Sequence, residues 1–150
     1  MTDIIIREVQ ESDYINLLSL INNELGYPGL TLEILTVKIS EMKKAGNYFI
    51  FVASVNNEAV GFISAIQEIT LEMQSSYFRI IGLAVSKANQ GKGIGSMLLN
   101  YMEQFASDRG VCYFTLSSGL QRLDAHAFYE HNGYVKKSFS FQKGQKDCNS

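Results

Sequence analysis

The segment Gln90-Gly91-Lys92-Gly93-Ile94-Gly95 governs the interpretation of this 150-residue chain. An apolar run typical of a buried strand, Tyr77 to Val85, precedes it, and apolar residues after it recur with the period of a helix. The three glycines permit a tight turn that exposes backbone N–H groups, and the following helix points the positive end of its dipole toward them. This arrangement is typical of a phosphate-binding loop, although a plain glycine-rich turn would give the same pattern.

The glycine spacing excludes the two best-known nucleotide loops. A Walker A loop has four residues between its first glycine and a Gly-Lys-Ser/Thr triplet, whereas Lys92 is followed by Gly93. The dinucleotide fingerprint GxGxxG requires its third glycine one residue later and follows the first strand of its unit. A nucleotide-binding regulator is therefore a weak hypothesis for this chain.

Composition narrows the classes of partner. With 13 basic and 15 acidic residues and a pI near 5.7, the chain predicts no nucleic-acid partner. No apolar run reaches the ~18 residues that span a bilayer, so we expect a cytoplasmic protein with no membrane partner. Cys112, in an apolar run, and Cys148 are expected to be free thiols. His126 and His131 are five residues apart, and no metal site is expected.

Apolar periodicity and turn residues predict one domain over residues 1–150. We expect Thr31 and Gly46 to cap the second helix, and Asn56-Asn57-Glu58 to join two antiparallel strands. The polar tail, residues 143–150, is expected to be frayed. The predicted elements are a strand over 4–9, a helix from Ser12 or Asp13 to Gly26 burying Ile15, Leu18, Ile21 and Leu25, a helix over 31–46, strands over 48–55, 59–69 and 77–85, a helix over 94–110, a strand over 112–117, a helix over 124–132 capped by Asp124, and a strand over 134–141.

Two motifs and this element order resemble one known family. Gln90-x-x-Gly-x-Gly resembles the acyl-CoA loop of the GNAT superfamily of N-acetyltransferases, and Ala125 to Tyr134 resembles its Ala-x-x-Phe-Tyr-x-x-x-Gly-Phe/Tyr signature. The order βααβββαβαβ over roughly residues 4–143 is also the GNAT order. The resemblance implies an α/β (α+β) fold, a single GNAT-like domain with a mixed sheet of six or seven strands and about four helices. The two strands beside the glycine helix should be parallel.

The same resemblance implies the activity and its partners. The protein would be an N-acetyltransferase that transfers the acetyl group of acetyl-CoA directly to a primary amine of a small molecule or peptide. Acetyl-CoA would be a co-substrate, an amine the acceptor, and exposed strand edges would permit a homodimer. Tyr27, in the turn after the first helix, would line the acceptor site.

The resemblance also assigns cofactor-binding residues. Gly82 interrupts its strand, which indicates a bulge or a close backbone approach, although a helix crossing the sheet tightly would also require it. Backbone groups left without a strand partner at this interruption would bind pantetheine and polarise the thioester carbonyl. Backbone N–H groups of the loop would bind the pyrophosphate, with the side chains of Gln90 and Lys92 as supplements. The cofactor-binding residues are then Leu83, Ala84, Val85, Gln90, Gly91, Lys92, Gly93, Ile94, Gly95 and Ser96.

Tyr129 is the catalytic residue that the resemblance implies. Its hydroxyl would hydrogen-bond to, or protonate, the departing CoA thiolate, and its ordinary pKa near ~10 suits that task. No general base is assigned, because the strand from Tyr77 to Val85 contains Arg79 but no carboxylate. Glu68 and Glu72 are the nearest acidic residues, and solvated side chains are the simpler interpretation of both. The missing carboxylate motivates an alternative function, a non-catalytic acyl-CoA-binding module of the same fold.

Overall fold

A computed structural model describes residues 3–145 of the chain. These residues form two compact units that divide after Leu116. Short 3₁₀ turns at Glu11–Asp13 and Lys87–Asn89 accompany the main elements. In chain order the elements are β1 (Ile4–Glu8), α1 (Tyr14–Asn23), α2 (Leu32–Ala45), β2 (Tyr48–Val55), β3 (Glu58–Glu68), β4 (Tyr77–Val85), α3 (Ile94–Asp108) and β5 (Phe114–Leu116) in the first unit, and α4 (Leu123–His131) in the second.

The first unit is built on one five-stranded sheet in the order β1-β2-β3-β4-β5. The first four strands are antiparallel neighbours, and β5 runs parallel to β4 across the α3 crossover, which confirms the predicted parallel pair. The predicted hairpin is also confirmed. Asn56 and Asn57 have φ values of 51° and 67°, the left-handed pair of a two-residue type I′ turn.

The prediction of six or seven strands is wrong, because the described residues contain five. The order of main elements is βααβββαβα, without the expected final strand over 134–141. The apolar side chains of that segment are largely exposed, at 78% for Val135, 76% for Phe139 and 93% for Phe141. Strand propensity alone forms no strand, since a strand also requires a hydrogen-bonding neighbour. The predicted frayed tail is described only at 143–145, and its remainder lies outside the described residues.

Helices cover both faces of the sheet in the first unit. On one face, Leu17 and Leu20 of α1 and Ile39 of α2 form a buried cluster with Val52 and Phe62 of the sheet. On the other face, the Phe105 ring of α3 lies with its centroid 4.9–6.3 Å from the ring centroids of Phe49, Phe51 and Phe78. The core therefore lies on both sides of β2 and β3.

The predicted buried face of α1 is confirmed in part, because Leu18, Ile21 and Leu25 are partly buried and pack against the core cluster. Tyr14, Leu17 and Leu20 are buried, whereas Ile15 is 63% exposed. The difference at Ile15 arises where the helix begins. Asp13 does not cap it with its side chain and instead accepts hydrogen bonds from Arg7 at 2.7 and 2.9 Å, which directs the next residue, Tyr14, into the core.

Predicted caps can also be compared for α2, where they are confirmed, and for α4, where the prediction is wrong. Thr31 Oγ1 accepts from the Ile34 N–H at 3.2 Å, and Gly46 ends α2 with a φ of 81°, so both predicted caps of that helix are confirmed. The predicted cap of α4 is wrong, because Arg122 is the N-cap residue and Asp124 lies in the first turn. An acidic residue there still favours the helix through the dipole.

Candidate active site

A bulge interrupts β4 at Gly82. Ala65 of β3 pairs with Ile80, and the next residue, Ser64, pairs with Gly82, so Ile81 is an extra residue without a partner on β3. A Cβ atom on Gly82 would lie 2.7 Å from Ser64 Oγ and 3.1 Å from Phe62 Cε2. The bulge and the close approach are both confirmed, and the neighbouring strand rather than a crossing helix explains why the residue is glycine.

Beyond the bulge, β4 has one free edge. Its pairing with β5 covers Phe78 to Ile80 and ends just before the extra residue. From Ile81 to Val85 that edge is unpaired within residues 3–145, while the opposite edge continues to pair with β3. Backbone N–H and C=O groups on this free edge are open to an extended ligand, although Val85 O already accepts from Gln90 Nε2 at 2.9 Å.

Hydrogen bonds on either side of the bulge show which backbone groups face the free edge. The Phe78 N–H donates to Tyr113 O on the β5 side at 3.0 Å, and the Ser86 N–H donates to Val60 O on the β3 side at 2.8 Å. Alternate residues of a strand face the same neighbour. Leu83 and Val85 therefore direct their backbone groups to the free edge, and Ala84 between them is buried.

The loop after β4 leads directly into the start of α3. Gly91 and Gly93 adopt φ values of 78° and 81°, and no side chain caps the helix at Gly93. The first intrahelical bond is donated by Met97 N–H to Gly93 O at 3.0 Å. The N–H groups of Ile94, Gly95 and Ser96 precede it and have no intrahelical acceptor. With the dipole of a 15-residue helix behind them, these groups form a site suited to an anion.

The side chain of Gln90 is exposed and bonds to two oxygen atoms of the protein. Its Nε2 donates to Val85 O at 2.9 Å and to Glu24 Oε2 at 3.2 Å. Lys92 Nζ lies 3.5 Å from Asn89 Oδ1 on the exposed surface. Both side chains have polar partners within the protein, and the N–H groups at the start of α3 have none within the helix.

Glu24 is the residue of this region that the sequence interpretation missed. It is the C-cap of α1 and lies seven residues after Leu17, so it shares the face of the helix that packs on the sheet. A carboxylate in an apolar helical stripe was the available signal. Its contact with Gln90 joins residues 66 positions apart, which no local pattern reveals.

Glu68 is occupied at the opposite end of β4. Its carboxylate pairs with the Arg79 guanidinium and accepts a hydrogen bond from Tyr77 Oη at 3.1 Å. Burial first, and then this hydrogen bond, raises the pKa of Tyr77 above its ordinary value. Both contacts engage the Glu68 carboxylate within the sheet. Glu72 is exposed in the loop before β4.

Tyr129 lies on α4 in the second unit. Its ring packs edge-on against those of Phe128 and Tyr134, with centroids 5.2 and 5.9 Å apart. Burial raises the pKa of the Tyr129 hydroxyl above its ordinary value, and the positive charge of Arg122 opposes this in part. The phenol is therefore protonated at neutral pH and available as a proton donor.

The remaining predicted residues lie on the surface of the first unit. Tyr27 follows Gly26 in the turn after α1 and is 66% exposed. Cys112 is a free thiol as predicted, but it is exposed and precedes β5, so its expected place inside an apolar strand is wrong. Cys148 lies outside the described residues.

Residues 3–145 contain neither a candidate metal site nor a candidate membrane-spanning helix. No group of three or more His, Cys, Asp or Glu side chains there is arranged to hold a metal ion. No helix in that range is both long enough and apolar enough to cross a membrane.

Comparison with known proteins supplies the family. The model of the acetyltransferase (GNAT) family matches residues 16–134. An uncharacterised N-acetyltransferase of Bacillus subtilis is 29% identical over 115 residues, which cover 76% of this chain and 80% of that protein. An aminoalkylphosphonate N-acetyltransferase of Salmonella typhimurium is 36% identical over 88 residues, 59% of this chain and 57% of the other.

A solved structure shares the fold. An aminoglycoside N-acetyltransferase in complex with CoA superposes with a TM-score of 0.84 at 13% identity, over 97% of each chain. Named relatives and the family model agree on acetyl transfer, and the superposition agrees on architecture. By sequence and by fold, the chain belongs to the GNAT family of acetyltransferases.

Proposed function

We propose that the protein transfers the acetyl group of acetyl-CoA directly to a primary amine. One observation carries this proposal. The free edge of β4, with the backbone groups of Leu83 and Val85 on it, runs into the N–H groups at the start of α3. A ligand that pairs with these groups in order needs an extended chain with amides, followed by an anion. The pantetheine arm of CoA, which is joined to a pyrophosphate, has this order.

The cofactor would bind through backbone groups of the first unit. The pantetheine amides pair with Leu83 and Val85, and the pyrophosphate accepts hydrogen bonds from the loop that spans Gly91 to Ser96. Ala84 contributes by packing into the core and so fixing the register of its neighbours. CoA in the solved aminoglycoside N-acetyltransferase supports this choice of cofactor.

The chemical step needs few side chains. The amine nitrogen uses its lone pair to form a bond to the thioester carbon, the C–S bond breaks, and the electron pair leaves on sulfur. A backbone N–H at Leu83 stabilises the negative charge that develops on the carbonyl oxygen. Tyr129 donates its hydroxyl proton to the sulfur, and the proton lost by the nitrogen passes to water, from which the Tyr129 phenolate is protonated again. The role of Tyr129 rests on the sequence signature and on its protonated hydroxyl.

Release of CoA thiol tests the proposal directly. The protein is mixed with acetyl-CoA and, in turn, with 2-aminoethylphosphonate, kanamycin, 1,4-diaminobutane and a peptide with a free N-terminus, and thiol is followed with a chromogenic disulfide. We expect amine-dependent thiol release with at least one acceptor, and the acetylated amine in the mass spectrum. Release at the same rate without any amine would contradict acetyl transfer, and binding of acetyl-CoA without release would favour a non-catalytic binding module.

A further inference from the structure

A cavity of about 230 Å³ lies at the β1 edge of the sheet, away from the free edge of β4. Pairing of β1 with β2 ends at Glu8 and Phe51, and one further bond continues it, from Val9 N–H to Ile50 O at 3.1 Å. The chain then leaves the sheet for the 3₁₀ turn at Glu11–Asp13. The first residues of β2 therefore extend past the end of β1, and the cavity lies beside them.

Mainly apolar side chains line this cavity, which we call the edge cavity. The Phe105 ring of α3 lies with its centroid 4.9 Å from that of Phe49 and 5.0 Å from that of Phe51, so three packed rings form one wall. At 230 Å³ the cavity is larger than the ~150 Å³ that holds benzene in an apolar protein interior, and smaller than the ~300 Å³ at which drug-sized sites begin. One ring or one branched apolar side chain therefore fits. The apolar lining includes Val9, Met42, Tyr48, Phe49, Phe51 and Phe105.

Two charged residues of opposite sign, Glu8 and Lys43, also line the edge cavity. Both are exposed, and neither takes part in a salt bridge between residues 3 and 145. Lys43 Nζ donates a hydrogen bond to Tyr14 Oη at 3.4 Å, and an ammonium group has three donors. A ligand with a single charge would meet one like charge here, whereas a zwitterion can place an ammonium group at Glu8 and a carboxylate at Lys43.

The edge cavity is separate from the candidate active site. In the strand register, Glu8 lies beside Phe51, Phe51 beside Ile63, and Ile63 beside Leu83. Three strand spacings of about 4.8 Å place Glu8 about 14 Å from Leu83 across the sheet. An amine held at Glu8 is therefore out of reach of an acetyl group at Leu83.

We propose that the edge cavity binds a free α-amino acid with a large apolar side chain, which lies against the three phenylalanine rings. The α-ammonium group of this ligand pairs with Glu8, and its carboxylate pairs with Lys43. This second ligand site goes beyond the proposed function, because acetyl transfer at Leu83 does not require it. The amino acid is bound there and is not consumed.

Titration of the protein with phenylalanine and three matched compounds tests the proposal. 3-Phenylpropionate lacks the ammonium group, 2-phenylethylamine lacks the carboxylate, and alanine lacks the ring. Calorimetry without acetyl-CoA measures each affinity, so the result does not depend on acetyl transfer. We expect phenylalanine to bind about tenfold more tightly than each of the other three compounds.

Variants that remove one charge locate the bound amino acid. Glu8→Gln and Lys43→Gln should each weaken the binding of phenylalanine about tenfold. Glu11→Gln and Lys44→Gln are matched controls, because both side chains are exposed and lie outside the lining of the edge cavity. These two controls should bind phenylalanine as tightly as the wild type does.

Three results would overturn the proposal. They are no binding of phenylalanine, equal affinity for phenylalanine and either singly charged compound, and unchanged affinity in both Glu8→Gln and Lys43→Gln. The last result would place the amino acid at another site, such as that of the acceptor. The melting temperatures of the four variants, which should equal that of the wild type, separate loss of the site from loss of the fold.

Discussion

Gly93 combines a left-handed backbone with open space around its Cα. Its φ is 81°, and a Cβ atom there would have no heavy atom within 4 Å, so only the backbone disfavours a side chain. We expect Gly93→Ala to lower the free energy of unfolding by about 1 kcal/mol, and to weaken CoA binding about tenfold as the loop N–H groups turn away. Urea denaturation and calorimetry measure the two effects.

Gly29 provides the matched control for that substitution. It has the same open surroundings without a positive φ. Gly29→Ala should therefore stay within about 0.5 kcal/mol of the wild type and bind CoA normally. Unchanged CoA affinity in Gly93→Ala would show that the anion site lies elsewhere.

Tyr129 is expected to act in the chemical step rather than in cofactor binding. Tyr129→Phe retains the ring that packs on Phe128 and Tyr134 but removes the proton donor, so turnover should fall about 100-fold. The dissociation constant of CoA should change little. Steady-state kinetics with the best acceptor, together with a CoA titration, measure both quantities.

The neighbouring tyrosine serves as the comparison. Tyr134→Phe removes a hydroxyl from a ring that packs against Tyr129, and we expect turnover near that of the wild type. Equal turnover of Tyr129→Phe and the wild type would reduce Tyr129 to a packing role. A role of the Tyr129 hydroxyl in the chemical step requires that its removal lowers the reaction rate.

At the scale of elements, one ion pair joins β1 to the start of α1. Asp13 is 2% exposed and accepts from both terminal nitrogens of Arg7 and from the Gln10 N–H at 2.7 Å. The hydrogen bonds from Arg7 lower the pKa of Asp13, against the opposing effect of burial. The edge strand and the first helix are thus held by a charged contact as well as by apolar packing.

This ion pair predicts a loss of stability in acid. Because the pKa of Asp13 is lower in the folded state, the unfolded chain binds more protons as the pH falls below the ordinary value near ~3.9. The contribution is therefore complete above that pH and is lost as the pH falls through the folded-state pKa. Asp13→Asn should cost about 2 kcal/mol at pH 7, the magnitude of a hydrogen bond to a charged group, and flatten the profile in acid. Urea denaturation of both proteins from pH 7 to pH 2 measures this, and parallel profiles would contradict it.

Elements differ in how far their own sequence determines them. Thr31, Gly46 and the Asn56-Asn57 turn act through contacts within a few residues, so their roles followed from local patterns. The expected strand over 134–141 depended on a partner, and the alternation of its apolar residues does not supply one. On α1, Ile15 was misplaced at the start of the helix, where Asp13 accepts hydrogen bonds from Arg7 instead of capping the helix.

At the scale of the whole molecule, acetyl-CoA should stabilise the fold by mass action. At 100 times its dissociation constant, a ligand that binds only the folded state adds about 2.7 kcal/mol. For 150 residues this raises the melting temperature by roughly 5–10 °C. ATP or NAD at the same concentration should give no comparable shift. Differential scanning fluorimetry measures it, and a larger shift with ATP would contradict the choice of cofactor.

The candidate site shows the same limit of sequence-based prediction. The glycine loop and Gly82 were recognisable because the backbone imposes their residue type. The contact of Glu24 with Gln90 was not, because the fold brings the two residues together across 66 residues of chain. Signals of backbone geometry are local in the sequence, whereas pairs of side chains are created by the tertiary structure.

The single extra residue of the β4 bulge has a consequence for how such a site arises. Ala65 and Ser64 are consecutive on β3, and their partners Ile80 and Gly82 would become consecutive if the codon for Ile81 were deleted in frame. Every other residue of β4 would keep its partner and its face of the sheet, so the shortened chain should still fold. What it would lose is the bend at which the β5 pairing ends. One inserted residue is therefore enough to separate a regularly paired strand from one whose outer edge is free beyond Ile80.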